Sequence, residues 1–480
     1  MRRTERGELS RPAPCLALAA GLLLALVMSA VASGAESMAL TIDEAVELAR
    51  EHSDALAASR AEADAAEARA RQARAGFFPM ISGSASYTKL DEAPYMDASQ
   101  FGEIFAPLMV PFQYLVDQGY LDPETLSGLQ VAGGSDKIYL GDDDVYSIGL
   151  SVTQPLFTGG AVISSYGAAR HGATAGALNV RRAEDRLVFD VTEAYLGLVQ
   201  ARAALDVMRD AREQMASHLA DVEALYEEGM LIESDLMLAR VRMSQVELDL
   251  SKAEHIVRLA NSALAFVIGV DIETEIEPLE NLSPSVSDSA ELTDLTDVAM
   301  TRRPDLQAMS ELVGAADNAV TIARSGYMPQ LVLVGNYNWD RPNREYEPEF
   351  YEHWSATLAL TMNIFDWGLT GNRVREARAG LMQAERGRDM MEDAVRLEVK
   401  QSYLALDEAE DALDIAEGGA RQARESLRVA REAFRNGVAT NSNVLDAQTA
   451  QTTAEMNRIA ALAGLMIAEA RLELATGTAK

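Results

Sequence analysis

The chain has 480 residues, 48% hydrophobic and 24% charged, enough apolar material for a large buried core. Seventy-four acidic residues against 42 basic ones give a formal charge of −32, and such a polyanion repels nucleic acid, which excludes DNA or RNA as a partner. One cysteine (Cys15) and five scattered histidines leave no disulfide framework and no CxxC or HExxH spacing, so neither a metal nor another cofactor is expected. Phosphate-loop, nucleophile-elbow and dinucleotide fingerprints are missing too, which argues against an enzyme.

Residues 1–35 read as a secretory signal peptide. Arg2, Arg3, Arg6 and Arg11 precede an apolar run from Cys15 to Val31, and small residues follow, with cleavage expected near Ala32 or Ala35. A run of about 17 residues is short for a spanning helix. Cys15 opens the run instead of following it, so lipid attachment is not expected. Beyond the leader, an Ala-, Glu- and Arg-rich pattern from about Ile42 to Ala75 predicts a helix that stops at Gly76 and Pro79. Alternating segments at 80–90 and 145–154 predict strands, with an insertion over 91–144 between them. A helical pattern then runs from about Ala161 to Glu228, breaks at Gly229, and resumes from about Ser234 to Val267. An acidic, proline-containing linker covers 271–294. The same order returns afterwards: a helix near 295–325, strands at 330–339 and 354–363, and helices near 370–436 and 442–476.

That return is a tandem duplication. ARAGFFP (Ala73 to Pro79) recurs as ARSGYMP (Ala323 to Pro329), and LFTGG (Leu156 to Gly160) recurs as IFDWG (Ile364 to Gly368). A constant shift of 208 pairs Gly229 with Gly437, Ser234 with Ser442, and Gly269 with Gly477. The domains are therefore a first repeat over 36–270, the linker, and a second repeat over 295–480. The surplus of the first repeat lies between Leu90 and Val145 and includes the apolar stretch Phe101 to Leu121, which could plug a barrel mouth or form a surface patch.

The long helices carry a 4-3 apolar spacing. In the first copy it runs Ala194, Leu198, Ala201, Leu205, Met208, Arg212, Met215, Leu219, Val222, Tyr226, with only Arg212 polar. In the second it runs from Leu406 through Leu413, Ala420 and Leu427 to Phe434. This is a coiled-coil seam whose alanines permit close helix approach.

The strands carry the most specific signal. Ile81, Gly83, Ala85 and Tyr87 alternate with Ser82, Ser84, Ser86 and Thr88; Tyr146, Ile148, Leu150 and Val152 alternate with Ser147, Gly149, Ser151 and Thr153. The other two strands behave similarly. Trp339 and Trp354, with Tyr87 and Tyr146, stand where an interfacial aromatic girdle would lie. One apolar face and one small polar face over about ten residues match outer-membrane barrel strands, although a half-buried soluble sheet also alternates. Export and the lack of a spanning helix favour lipid. Four strands cannot close a barrel, since the smallest need about eight, and open edges are not tolerated in lipid. The chain must therefore be an obligate oligomer.

The duplicated plan, with QPLFTGG (Gln154 to Gly160), NIFDWG (Asn363 to Gly368), GMLIESDLMLAR (Gly229 to Arg240) and GVATNSNVLDAQT (Gly437 to Thr449), resembles the TolC-like outer-membrane efflux proteins. The resemblance covers essentially the whole mature chain. It implies a mainly α fold with membrane β: four strands per protomer, a trimeric 12-stranded β-barrel, and an α-helical barrel in the periplasm. It implies a passive channel of a tripartite efflux or type I secretion system, sited in the outer membrane and its lipid. The partners would be two further copies, a periplasmic adaptor and an inner-membrane pump. The linker and the C-terminus would form the family's mixed equatorial region.

By the same resemblance, Gly229, Met230, Leu231, Gly437, Val438 and Ala439 would be adaptor-contacting tips, although glycine turns at helix ends need no partner to explain them. Asp446 matches an inward-facing aspartate at the closed entrance, and Asn443 stands where a second aspartate ring would be. Asp235 matches the aspartate of the family's closing lock, but Phe434 and Ala439 replace its tyrosine and arginine. Closure is then expected to rest on packing of Phe434 and other contacts. The alternative reading is a soluble periplasmic coiled-coil adaptor or scaffold, which explains helices and export but not four alternating strands.

Overall fold

The computed structural model describes residues 38–97, 107, 110–122, 137–139, 142–283, 291–345 and 347–479. The expected signal peptide and half of the 91–144 insertion lie outside these. The strands are β1 (Met38–Leu40), β2 (Met80–Lys89), β3 (Tyr95–Asp97), β4 (Lys137–Tyr139), β5 (Asp144–Phe157), β6 (Ile276–Pro278), β7 (Gln330–Arg341) and β8 (Tyr351–Thr361). The helices are α1 (Ile42–His52), α2 (Asp54–Ala75), α3 (Ala161–Glu227), α4 (Glu233–Ile268), α5 (Leu292–Arg302), α6 (Pro304–Ser325), α7 (Leu369–Arg435) and α8 (Asn441–Thr476). Helix lengths of 11, 22, 67 and 36 residues occur in that order in both halves.

Three sequence expectations are corrected here. The single helix expected over 42–75 is two, because Ser53 adopts an extended backbone (φ −68°, ψ 113°) between α1 and α2. Its counterpart near 295–325 breaks at Arg303, where Pro304 bars the preceding residue from the helical region. The seam in α3 also departs by one residue. Arg212 is exposed, and Ala211, only 4% exposed, takes the inward place. An arginine head group stays in water while a methyl fills the close helix contact.

The chain divides into two compact units. One comprises 65–174 and 311–386 and holds a four-stranded antiparallel sheet in the order β2-β5-β7-β8. Its register pairs Ile81 with Val152, Val152 with Gly335 and Gly335 with Ala356, so residues of one parity share a face across all four strands. A bulge lies between Pro155 and Phe157, where a residue without an N–H costs no ladder bond. The outer edges of β2 and β8 pair with nothing in this sheet. β3 and β4, both within the β2–β5 connection, pair antiparallel in a two-stranded sheet of their own.

In the same unit the two repeated glycine-rich motifs turn sharply into α3 and α7. Gly159 and Trp367 hold equivalent positions with φ of +61° and +55°. A Cβ on Gly159 would come 2.5 Å from the Cβ of Met328, so only glycine fits there. At 367 the space is open, and tryptophan occupies a left-handed conformation while projecting into solvent, 89% exposed. Asp366 caps the turn, its carboxylate accepting the N–H groups of Gly368 at 3.0 Å and Thr370 at 2.8 Å.

The other unit comprises the described residues of 1–64, 175–310 and 387–480. β1 and β6 pair in parallel, and Tyr195 on α3, fully buried, donates its hydroxyl to the Leu40 carbonyl at 2.9 Å. Around it Leu40, Val46, Val191, Leu198, Leu264, Ile268 and Ile276 form one core cluster. Arg303, 2% exposed, ties the break between α5 and α6 to Asp305 (2.6 Å), Glu398 (2.5 Å) and the Ala475 carbonyl (3.1 Å). Burial pushes the Asp305 carboxyl up, but the bidentate Arg303 beside it wins and holds it below the usual carboxylate range. A second apolar cluster of Met215, Val222, Leu236, Leu427, Phe434, Val444 and Leu445 joins α3, α4, α7 and α8 near their turns.

Candidate functional site

Two places carry functional geometry: one face of the sheet, and the two helix turns at the ends of α3 and α7.

On the sheet, register puts Tyr87, Tyr146 and Arg341 in one row, Ala85, Ile148, Trp339 and Glu352 two residues along, and Gly83, Leu150, Tyr337 and Trp354 two further. All four expected girdle residues thus share a face and fall within roughly 14 Å of one another along the strands. Their rings meet: Tyr87 and Tyr146 at 4.9 Å, Tyr337 and Trp339 at 4.5 Å between centroids. The charged residues of this face on the four strands, Lys89, Asp144, Arg341 and Glu352, lie in its three outermost rows, where head groups rather than hydrocarbon would meet them. Farther in, the face carries Ile81, Val152, Leu333, Leu358 and Leu360; its Gln154 side chain is absorbed by the Phe77 and Pro155 carbonyls. The opposite face is small and polar, with Ser82, Ser84, Ser147, Ser151, Asn336, Asn338 and Ser355.

A second aromatic belt, which the sequence reading missed, lies at the other end. Phe77, Phe78, Phe157, Tyr327, Phe365 and Trp367 are all exposed beside the helix-facing strand ends. Their signal was present in FFP, GYMP, LF and FDW, motifs that had served only to reveal the repeat. Between the belts, the ten steps from Arg341 to Leu331 span roughly 34 Å along the strand, or about 26 Å at an ordinary barrel tilt. That is the height of an outer-membrane apolar band. Among the described residues no helix is long and apolar enough to cross a membrane.

At the turns, Gly229 and Gly437 both have φ +74°. The N–H groups of Gly229 and Met230 donate to Tyr226 and Leu225, and those of Gly437 and Val438 donate to Phe434 and Ala433, at 2.8–2.9 Å. These paired bonds close each helix in the same left-handed cap. The expected tip residues then separate. Met230 and Val438 project outward, 69% and 82% exposed, while Leu231 and Ala439 pack half-buried against the tip cluster. Ile232, 67% exposed, joins Met230 as an apolar knob that sequence reasoning overlooked.

The residues expected at the gate also separate. Phe434 is buried, and its ring meets His218 on α3 at 5.2 Å, edge to face. His218 bonds Asn441 Oδ1 at 2.8 Å, and Asn441 Nδ2 donates to the Asp235 carbonyl at 2.9 Å. The Asp235 region is thus held through its backbone. Arg431 donates to Gln214 at 2.8 Å, and Arg435 lies 3.5 Å from Asp221, so α7 is also tied to α3 by polar contacts. Asn443 is the third residue of a capping box and accepts from Thr440 N–H and Oγ1 at 2.9 and 2.7 Å. Asp446 lies one turn farther on and is exposed, beside a shallow groove lined by Gln422, Glu425 and Val429. The closest approach to a cation site among the described residues, Asp142 to Asp144, already faces the Lys89 ammonium, 2.7 Å from Asp143.

The profile of the outer membrane efflux proteins matches residues 123–270 and 295–478. The outer membrane protein TolC of Vibrio cholerae is 21% identical over 342 residues, covering 70% of this chain and 78% of that protein. The alkaline protease secretion protein AprF of Pseudomonas aeruginosa is 23% identical over 345 residues, 70% of each chain. The CmeC outer membrane channel of Campylobacter jejuni superposes with a TM-score of 0.71 at 16% identity, over 91% of this chain and 86% of that one. Channels of this family are trimers, and a soluble adaptor-like fold is set aside. The chain belongs to the outer membrane efflux protein family: it is a non-enzymatic outer-membrane channel subunit with a periplasmic helical part.

Proposed function

We propose that three copies close their four-stranded sheets into one 12-stranded barrel and serve as the passive exit duct of a tripartite efflux or type I secretion machine. The observation that carries this is the sheet itself. One face is apolar and belted by aromatics at both ends, the other is small and polar, and β2 and β8 leave open edges that lipid does not tolerate. A second copy satisfies those edges, and closure at three gives a lumen lined by the serine and asparagine face. The exposed Met230, Ile232 and Val438 are the parts of the tips offered to a periplasmic adaptor, which an inner-membrane pump drives. AprF is named for protease secretion, and a cargo of that kind is one that such a duct would pass.

At the entrance, three Asp446 carboxylates around the axis would form an anionic ring that favours cations. Asn443 contributes a neutral cap there in place of a second ring. Planar-bilayer recording tests both parts. Purified trimer should give discrete channels with cation preference, and Asp446→Asn should reduce that preference. Absence of channels refutes the duct, and unchanged selectivity refutes the ring.

A further inference from the structure

The buried histidine of the tip cluster has no part in the function described so far. His218 is 5% exposed and touches two other helices beside the turns, reaching the fourth through Asn441. It sits on α3, its ring lies against Phe434 of α7, and it bonds Asn441 of α8, whose amide in turn holds the Asp235 carbonyl at the start of α4. The orientation of that amide is determined by its own bonding. Because Asn441 Nδ2 donates to Asp235, Oδ1 must face His218, so the imidazole donates from Nε2 and is complete as a neutral ring.

The charged groups that face it come from two helices. Arg431 and Arg435 on α7 oppose a second positive charge, and Asp221 on α3 favours one, but Asp221 already lies 3.5 Å from Arg435. α8 contributes only the neutral Asn441 amide, and α4 contributes the Asp235 carbonyl at one remove, through that amide. Burial pushes the imidazole below its ordinary value of 6.5, outweighing the Asn441 bond and the Asp221 charge.

We propose that His218 is a proton-sensitive latch between the two helical hairpins, closed while the imidazole is neutral and loosened when acid protonates it. The sign follows from linkage. A hydrated histidine gains a proton below about 6.5 while the packed one resists it, so the contribution is complete above that value and is lost as pH falls. The periplasm, where the helical part lies, follows the external pH and so exposes this group to such a change. The gating consequence rests on the duct reading above: acid would release the α7–α8 hairpin from α3–α4 and widen the entrance.

The test compares full-length wild type with His218→Gln, which keeps a donor for Asn441 but cannot titrate. Amide hydrogen exchange is read at pH 7.5 and 5.0 in peptides spanning the two turns, and conductance is recorded in planar bilayers. Dividing wild type by variant at each pH removes the intrinsic rate change. Wild type should lose protection at pH 5.0 by up to about thirtyfold, the ceiling for a group 1.5 pH units below its free value, and its conductance should rise. The variant should show neither change. Should the variant not fold, wild-type tip peptides are compared with those of α1, which should keep their protection. Equal behaviour of wild type and variant, or of tip and α1, overturns the latch. Lost protection without altered conductance leaves the latch standing and overturns the entrance reading.

Discussion

Val152 and Ser151 are chain neighbours whose side chains leave opposite faces of β5. Replacing each in turn by arginine perturbs the two faces separately while adding the same side chain and the same charge. Val152 lies in the row Ile81–Val152–Gly335–Ala356, near the middle of the span between the aromatic belts. An arginine at the lipid midplane of a barrel costs about 2–4 kcal/mol, and the trimer repeats that cost in each copy. Ser151 lies in the row Ser82–Ser151–Asn336–Ser355, which faces the lumen, where an arginine stays hydrated. β5 is paired on both sides within one chain, so neither change touches an inter-subunit edge. The assay is refolding into lipid vesicles under a urea titration, with heat-modifiable gel mobility reporting the assembled barrel. Val152→Arg should unfold at markedly lower urea, and Ser151→Arg should match wild type while altering conductance. Equal tolerance of both, or the reverse order, would refute the assignment of faces.

Three further outcomes follow from the helical parts. Gly229→Ala and Gly437→Ala place a Cβ at φ +74° with nothing within 4 Å, so the cost is conformational alone, about 1–2 kcal/mol each, and should be read as faster exchange confined to that turn. Phe434→Ala empties the centre of the tip cluster and should cost about 3–5 kcal/mol locally, raising single-channel conductance; an unchanged conductance would mean that Phe434 does not hold the entrance. Arg303→Met leaves Asp305 and the partly exposed Glu398 only the longer approach of Arg182, at 3.6 and 3.9 Å, with a loss of about 1–3 kcal/mol. Because Asp305 is held below the ordinary carboxylate range, its contribution exists above that range and disappears as pH falls through the lowered value. The variant should therefore show a higher acid-unfolding midpoint than wild type.

Local periodicity made most of the fold legible. Alternation in β2 and β5 specified the lipid face, because a period of two admits only one apolar side. Gly229 and Gly437 announced both turns because a left-handed cap strongly favours glycine. The break at Ser53 was easily missed, since its only mark is a capping serine within an otherwise helical pattern, while the second copy has a proline, Pro304, to betray the joint. Arg212 and Ala211 differ by one position, and a seam drawn from spacing alone cannot sense which of them a neighbouring helix needs. The latch was beyond reach for a different reason. His218 and Asn441 are 223 residues apart, and nothing local to either marks their meeting. The resemblance pointed to Asp235 and Phe434, and the structure brings His218 and Asn441 between them.

The central claim is that the open edges of β2 and β8 meet across copies and close at three. Cys15 is the one cysteine of the sequence, so in a Cys15→Ser background introduced thiols report without interference. Ser84→Cys on β2 would be combined in turn with Ser355→Cys, Thr357→Cys and Ala359→Cys on β8, and the membrane-embedded protein oxidised. A covalent ladder of monomer, dimer and trimer that stops at three is predicted for at least one pair. A ladder that continues beyond three, or none for any pair, would contradict the closed barrel.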